Sequence, residues 1–247
     1  IEISQKNTNS LQDFTFSNDG KNHMIKIDYS KPKGGTFTMN SKLLQPNGFM
    51  PWEKNPECFR INKAKPHSDI IPFPTVEDAL SWNKEARDIT DLNGTWKFRF
   101  FENPDQCDEA YPQGLECLMD TRNWGQIQVP ANWQLQGYDY PQYVNVKYPW
   151  EMTEDIMPPE IPRVYNPVGI YSRTFTADKA DGGRLFLRFE GIESCGEVYV
   201  NGSFVGYSEG SFTPAEYDIT EFVKAGENQL VVKVLRWCDG SWREDQD

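Results

Sequence analysis

The last twelve residues of the chain carry its densest set of side chains that could bind a ligand. Residues 236–247 read RWCDGSWREDQD and hold two tryptophans and four acids. A loop of this kind at one end of a β-sandwich could present Asp247 or Asp239 to a polyol or to a hard cation, because carboxylate oxygens suit both. The alternative is an acidic surface loop whose Trp237 caps the core, and composition alone favours that alternative.

Asn145 is a second candidate, because it lies among aromatic residues in the stretch YVNVKYPW at 143–150. A side-chain amide can donate to and accept from sugar hydroxyls. The alternative is an asparagine that ties its own loop together.

The chain is 14% aromatic with a net charge of −12. That balance disfavours nucleic acid as a partner and fits neutral sugars, whose apolar faces stack on rings.

Cysteine and histidine give little support for a metal or disulfide framework. The two histidines, His23 and His67, are far apart, and the five cysteines are irregularly spaced without a CxxC pair. A zinc site is therefore poorly supported and a dense disulfide scaffold is excluded. Buried free thiols are the favoured interpretation, with one disulfide between Cys107 and Cys117 as the alternative. The cysteines are Cys58, Cys107, Cys117, Cys195 and Cys238.

Other reaction classes lack their motifs. There is no GxSxG nucleophile motif and no glycine spacing of a phosphate-binding loop. The 37 acidic residues include too many candidates for composition to select a catalytic pair. We find no apolar run of membrane length and no signal-peptide pattern, so we expect no membrane partner. Free thiols fit a reducing cytoplasm, but a periplasmic location also stays open.

The first 90 residues divide into two segments. Residues 1–50 predict a small β-meander, with turns at NDG (18–20) and KPKGG (31–35), which is too short to bury a core alone. Residues 51–90 are irregular and rich in proline, which is typical of a segment that wraps a surface. Within it, residues 75–78 (TVED) resemble a capping box and predict one short helix that has Val76, Ala79 and Leu80 on one face.

The sequence pattern of residues 91–247 predicts a succession of β-strands. Apolar and polar residues alternate over 95–100 and 184–189, and the Asn201-Gly202 pair is typical of a hairpin turn. Residues 229–237 are apolar on both faces, which favours a central strand covered on both sides. We therefore predict an all-β, antiparallel sandwich without specifying its strand order.

A series of ordered motifs gives these residues a family resemblance. From about residue 51 to residue 247, the chain resembles the N-terminal part of a glycoside hydrolase family 2 β-galactosidase. Each motif is weak alone, and the resemblance depends on their order along the chain. The motifs are NP (55–56), LNGTWKF (92–98), VPANWQ (129–134), GYD (137–139), YVNVKYP (143–149), NPVGIY (166–171), FEGIES (189–194), VNG (200–202), VGYS (205–208), PAEYDIT (214–220), AGEN (225–228), LRW (235–237), DGS (239–241) and EDQD (244–247).

The resemblance implies a galactose-binding-like jelly-roll domain that lies beside a catalytic TIM barrel. It implies that Asn145 contacts the galactosyl group, and that Asp247 contacts substrate hydroxyls and a sodium ion. The two catalytic glutamates and the magnesium site of the family are expected in the barrel, outside this chain. The resemblance also implies that the 247-residue chain is inactive alone and that the full-length enzyme is an oligomer.

Two other interpretations remain open at this stage. The sandwich could be a stand-alone carbohydrate-binding module, or it could be a non-catalytic assembly domain that docks against other domains or subunits. Residues 1–50 match no usual N-terminal extension of the family, and we assign them no function.

Overall fold

A computed structural model of the chain describes residues 2–6, 51–142, 144, 147–151, 153–177 and 183–244. The turns predicted at 18–20 and 31–35 lie outside these residues. The described part is mostly antiparallel sheet with a few short helices, which confirms the all-β prediction. None of its helices is long and apolar enough to cross a membrane.

The larger sheet has seven described strands in the order β2-β9-β8-β11-β6-β4-β5, and neighbouring strands are antiparallel. Strand β11 lies at its centre, between β8 and β6, as predicted for 229–237. The strands are β2 (Arg60–Ile61), β4 (Gly94–Phe101), β5 (Gly125–Val129), β6 (Val168–Ala177), β8 (Cys195–Val200), β9 (Ser203–Glu209) and β11 (Gly226–Leu235).

The smaller sheet has four described strands in the order β10-β7-β1-β3, again antiparallel. They are β1 (Glu2–Lys6), β3 (Ile89–Asp91), β7 (Arg184–Phe189) and β10 (Ala215–Asp218). Strand β1 pairs with β7 on one side and β3 on the other. The start of the predicted N-terminal meander is therefore an inner strand of the sandwich, which its local sequence does not indicate.

The main core lies between the two sheets, and β11 contributes to it with one face. Leu230 and Val232 pack into this core with Leu187 and Tyr217 from the smaller sheet. Val231 and other residues on the opposite face of β11 join a second cluster with Trp52 and Trp124. The apolar character of both faces of this strand thus has a direct cause, because each face has its own cover.

The hairpin between β8 and β9 forms at the predicted Asn201-Gly202 pair. Asn201 has φ 51° and Gly202 has φ 75°, the left-handed values that a two-residue turn of this kind needs. A Cβ on Gly202 would also lie 2.7 Å from the backbone carbon of Cys117. Both the turn and this close approach therefore require glycine here.

The proline-rich segment covers the outer face of the larger sheet at one point. A 3-10 helix, Trp52–Lys54, buries Trp52 against Phe204, with ring centroids 4.8 Å apart. Further along, α1 (Val76–Ser81) begins at Thr75, whose Oγ1 accepts from the backbone N–H of Asp78 at 3.1 Å. The helix and its cap confirm the prediction. Its apolar face, however, is in solvent, with Val76 68% and Leu80 84% exposed.

The remaining elements are short. Two helices flank the strands, α2 (Pro104–Ala110) and α3 (Ser241–Glu244), and two further 3-10 helices cover Lys84–Ala86 and Trp133–Gln136.

All five cysteines are free thiols, so the alternative disulfide between Cys107 and Cys117 is wrong. Cys107 is buried and Cys117 is exposed. Three of the five, Cys107, Cys195 and Cys238, are buried as expected, while Cys58 is half-buried.

Candidate functional site

The two residues that the sequence singled out most strongly, Asn145 and Asp247, lie outside the described residues. The structure does describe the stretches next to them, 147–151 and 236–244. These stretches meet at one end of the sandwich through four aromatic rings, which we call the end cluster: Tyr148, Trp150, Trp237 and Trp242.

The end cluster packs the two stretches together edge to face. The ring centroid of Trp150 lies 5.6 Å from that of Trp237 and 5.0 Å from that of Trp242. Tyr148 stacks on Trp150 at 5.1 Å and meets Trp242 at 4.5 Å. Edge-to-face contacts at such distances stabilise beyond the area that they bury. The cluster therefore fixes how the two stretches lie relative to one another.

Two hydrogen bonds complete this contact. The Tyr148 hydroxyl donates to the carbonyl of Trp242 at 2.8 Å, and the Trp242 indole donates to the carbonyl of Glu160 at 2.8 Å. Trp150 and Trp237 are only 2% and 4% exposed. These two rings are therefore enclosed, whereas Trp242 is half-buried and is the one partly exposed tryptophan of the end cluster. Trp96 and Trp133, by contrast, are buried in the main core.

Asn166 holds the start of the C-terminal stretch. Its amide makes a pair of hydrogen bonds with the backbone of Trp237, donating to the carbonyl and accepting from the N–H, both at 3.0 Å. Asn166 is fully buried. A pair of bonds from one buried side chain substitutes for a missing strand neighbour, so the chain leaves β11 in a defined direction.

Asp139 is a second anchor at the same place. Its side chain is fully buried and accepts from Arg236 Nη1 at 2.8 Å and from the indole of Trp133 at 3.1 Å. Tyr165 also donates its hydroxyl to this carboxylate. Burial, and then the charge and hydrogen bond of Asp139, raise the pKa of the Tyr165 hydroxyl. Each of these partners donates a hydrogen bond to the carboxylate, so the buried side chain is held from three sides.

The far end of the stretch is fixed by α3. Glu244 accepts from the backbone N–H of Ser211 at 3.0 Å and from its hydroxyl at 2.6 Å. At the start of the helix, Ser241 Oγ accepts from the backbone N–H of Cys238 at 3.1 Å. The backbone N–H of Asp239 donates to the carbonyl of Glu53 at 2.8 Å. The wrapping segment thus also supports this loop.

Asp239, the second candidate acid of the stretch, points inward. It is 8% exposed, and its Oδ1 is buried without a hydrogen-bond partner among the described residues. One carboxylate oxygen of Glu209, one of Asp239 and the Sγ of Cys238, all atoms that can ligate a metal ion, lie within 4.8 Å of one another. Burial, with smaller contributions from Cys238 and Asp239, raises the pKa of Glu209 to about 9, and burial also raises the pKa of Asp239. Either a bound proton or a bound cation would reduce the repulsion between the carboxyl groups of Glu209 and Asp239.

A cleft of about 590 Å³ opens at this end of the sandwich. Its wall combines the rings of Trp133 and Trp237 with the polar groups of Gln142, Arg236 and Glu244. One polar atom of this wall, Gln142 Oε1, is buried and has no hydrogen-bond partner in the described part of the chain. Apolar walls with a few polar groups are typical of small-molecule sites.

The sandwich matches a known protein family. Residues 89–247 match the family model described as "Glycosyl hydrolases family 2, sugar binding domain". The chain belongs to this family. The match covers the sandwich from β3 to the end of the sequence, and it confirms the resemblance seen in the motifs.

The chain is similar in sequence to parts of larger enzymes. It is 47% identical over 203 residues to the β-galactosidase of Priestia megaterium, a match that covers 81% of this chain and 19% of that protein. It is 43% identical over 198 residues to the β-galactosidase of Halalkalibacterium halodurans, covering 79% and 19% respectively. The chain therefore spans about one fifth of the length of these relatives.

Solved structures give a weaker likeness to this family 2 domain. The β-glucuronidase of Lactobacillus rhamnosus superimposes with a TM-score of 0.41 and 28% identity, over 59% of this chain and 20% of that chain.

Sequence reasoning missed the two anchors of the family 2 domain, Asp139 and Asn166. Each lies inside a motif, GYD and NPVGIY, but motifs alone do not say which side chain is buried. The sequence did hold one clue for Asp139, which lies between two tyrosines. An acid in such an aromatic stretch is costly to bury unless it has a partner, so a paired anchor could have been considered. The basic partner, Arg236, lies 97 positions away, beyond the reach of local patterns.

Proposed function

We propose that this chain is the sugar-binding region of a β-galactosidase that hydrolyses terminal β-D-galactosides. The observation that carries the proposal is the 47% identity, over 81% of the chain, to a protein named β-galactosidase. The reaction would use the retaining two-carboxylate mechanism, in which one carboxylate forms a covalent glycosyl intermediate and the other acts as acid and then base. Both carboxylates would lie outside this chain.

The role of the sandwich in this reaction is to supply one wall of the substrate site. Asn145 would bond the galactosyl group, and Asp247 would bond substrate hydroxyls. The described anchors support this role, since the end cluster, Asn166 and Asp139 hold both neighbouring stretches in fixed positions. Groups that are held in place before the substrate arrives lower the entropic cost of orienting it. They also let binding energy act on the reacting ring.

The metal ions of the proposed enzyme divide between this chain and the rest. Asp247 would be one ligand of a sodium ion, and the remaining ligands would come from outside the chain. Sodium would neutralise the carboxylate and present a positive charge to substrate hydroxyls. Magnesium would bind only in the catalytic barrel, so no described residue is assigned to it.

The partners follow from the same proposal. The site end of the sandwich, with the cleft and the half-buried Trp242, would face the TIM barrel of the same polypeptide. The full-length enzyme would be an oligomer. An acidic net charge of −12 fits a soluble sugar substrate better than a polyanionic one.

Substrate discrimination tests this proposal directly. The full-length protein that carries this chain is assayed with aryl β-D-galactosides and with aryl β-D-glucuronides. We expect kcat/KM for the galactoside to exceed that for the glucuronide by at least about 100-fold, or roughly 2.7 kcal/mol. A preference for the glucuronide, or hydrolysis of neither substrate, would refute it.

Calorimetry separates the proposal from a stand-alone binding module. The isolated 247-residue chain is titrated with galactose and with lactose. We expect no binding heat at millimolar sugar, because the proposed site is completed by the barrel. Clear binding by the chain alone would favour the module instead.

A further inference from the structure

Two tyrosine rings form a stacked pair beside the candidate site, and we call this pair the tyrosine platform. The ring centroids of Tyr140 and Tyr165 lie 5.7 Å apart, with an angle of 20° between the ring planes. Offset stacking of this kind is one of the arrangements that aromatic pairs favour. Tyr165 is half-buried, whereas Tyr140 is 52% exposed. The platform therefore presents an aromatic surface to solvent.

One buried carboxylate holds both members of the tyrosine platform. Asp139 Oδ1 accepts from the backbone N–H of Tyr140 at 2.8 Å, and it also accepts from the Tyr165 hydroxyl. The guanidinium carbon of Arg236 lies 5.6 Å from the centre of the Tyr140 ring. Arg236 is itself fixed by its 2.8 Å bond to Asp139 Oδ2. The exposed ring is thus held through its backbone and through its neighbours, so it has little freedom left to lose when a ligand packs on it.

The tyrosine platform continues a row of rings at the site end of the sandwich. The ring centroid of Tyr165 lies 6.4 Å from that of Trp237, which lies 5.6 Å from that of Trp150. Tyr140 is the most exposed ring of this row. The two residues that follow it line the cleft, and Asn145 comes five positions after it in the sequence. The platform therefore borders the candidate site.

We propose that the tyrosine platform binds the aglycone sugar of the substrate, the ring that is attached to galactose and leaves when the glycosidic bond breaks. The assignment rests on the proposed β-galactosidase function and makes Tyr140 a specificity-determining residue for it. Asn145 and Asp247 are the proposed contacts of the galactosyl group. The aglycone is the part of a disaccharide to which this chain otherwise offers no assigned contact.

A pyranose ring suits the chemistry of this surface. The C–H groups on the face of a sugar ring form an apolar patch that packs on aromatic rings, while the hydroxyls at its edge bond water or polar groups. The reacting galactosyl group has to be enclosed away from bulk water. The aglycone does not, so a half-exposed ring at the border of the site fits the aglycone better.

The test compares two galactosides in the full-length protein, one with a sugar as the aglycone and one without. Lactose carries glucose, whereas methyl β-D-galactoside carries only a methyl group. We expect Tyr140→Ala to lower kcat/KM for lactose by about three- to tenfold, the effect of losing one aromatic stacking contact. For the methyl galactoside we expect a change of less than about twofold. A merely structural role would not separate the two substrates.

Two further variants distinguish the ring from its hydroxyl and from exposure alone. Tyr140→Phe keeps the ring and should retain at least about half of the lactose value. Phe59→Ala removes an aromatic ring of nearly equal exposure, 53%, next to the edge strand β2. It should leave kcat/KM for both galactosides unchanged.

Three results would overturn the proposal. Equal losses on the two galactosides after Tyr140→Ala would assign the ring to contact with the rest of the enzyme. An unchanged lactose value would show that the ring touches no aglycone, and an equal loss in Tyr140→Phe would assign the effect to the hydroxyl. All three leave galactoside hydrolysis by the unchanged protein intact, so they do not affect the proposed function. Hydrolysis of neither galactoside by the unchanged protein would refute both proposals.

Discussion

At the scale of single residues, Asn166 and Asp139 determine how the C-terminal stretch leaves the sandwich. Both are buried polar side chains whose hydrogen bonds lead to Trp237, Arg236 and Trp133. Neither residue is available to touch a substrate, since each is enclosed in the protein. Their contribution is to hold the neighbouring residues in place, and it can be measured as stability.

Asn166→Ala should destabilise the chain strongly. The substitution leaves the N–H and the carbonyl of Trp237 buried without their 3.0 Å partners, and each unpaired buried group costs about 1–3 kcal/mol. We expect the free energy of unfolding in urea to fall by about 2–4 kcal/mol. Asn83→Ala removes an exposed hydrogen bond to Asp78 and should cost less than about 1 kcal/mol. Equal effects of the two substitutions would contradict the anchor role.

Glu209 should make stability fall as the pH rises. Its pKa of about 9 in the folded chain, caused mainly by burial, compares with an ordinary value of 4.5. The folded chain therefore keeps a proton that the unfolded chain releases above about pH 4.5. The resulting stability is complete below that pH and is lost as the pH rises towards 9. The loss has a slope of at most about 1.4 kcal/mol per pH unit.

Glu209→Gln tests this pH dependence. Glutamine does not titrate, and its carbonyl oxygen can still accept from the Tyr207 hydroxyl, which lies 2.6 Å from Glu209 Oε1. Urea unfolding is compared between about pH 5 and pH 8. We expect the stability of the variant to fall less steeply than that of the unchanged chain. Parallel curves for the two proteins would show that Glu209 does not titrate as described.

At the scale of elements, the hairpin between β8 and β9 offers a matched comparison of two glycines. Gly202 and Gly114 have almost the same φ, 75° and 76°. A Cβ on Gly202 would meet the backbone of Cys117 at 2.7 Å, whereas a Cβ on Gly114 would meet nothing within 4 Å. The two positions therefore share the cost of a left-handed backbone and differ in the clash.

Gly202→Ala should cost more than Gly114→Ala. At Gly114 we expect a loss of about 1 kcal/mol from the strained backbone alone. At Gly202 the contact with rigid backbone atoms adds to this, for a total of about 2–4 kcal/mol. Thermal or urea unfolding of both variants measures the difference. A loss at Gly202 no larger than that at Gly114 would show that the turn has room to move.

The elements also show how far the sequence predicts this fold. The NG hairpin, the alternation in β4 and the doubly apolar β11 follow from local patterns, and all of them form. The strand order did not follow, because it depends on pairings between distant segments such as β1 with β7. The apolar face of α1 was recognised, but its exposure was not, since periodicity indicates a face without saying what covers it.

The candidate site was predictable in a different way. Patterns pointed to the aromatic stretches around 143–150 and 236–247, and the structure brings the described parts of these stretches together at the end cluster. The roles of Asn145 and Asp247 came from family resemblance. Residue type alone does not show them, because an amide or acid in a loop commonly bonds its own loop or faces solvent. The buried anchors came only from the structure, since burial results from the whole fold.

At the scale of the whole molecule, the chain contains a family 2 sugar-binding domain at residues 89–247 and spans about one fifth of the length of its relatives. The cleft, the end cluster and the stretches leading to Asn145 and Asp247 all lie at the same end of the sandwich. That concentration fits a domain whose one end completes a larger active site. The acidic residues elsewhere are mainly exposed surface groups, such as Asp120 beside Arg122.

The measurement that tests this account most directly is kcat/KM of the full-length enzyme on a β-galactoside after Asp247→Ala. We expect a fall of more than tenfold, or about 1.4 kcal/mol, together with a weaker response to sodium. Asn145→Ala should act in the same direction but more mildly, and Asp120→Ala should leave the value unchanged. A fall of less than tenfold for Asp247→Ala would contradict the claim that this sandwich supplies part of a galactosidase active site.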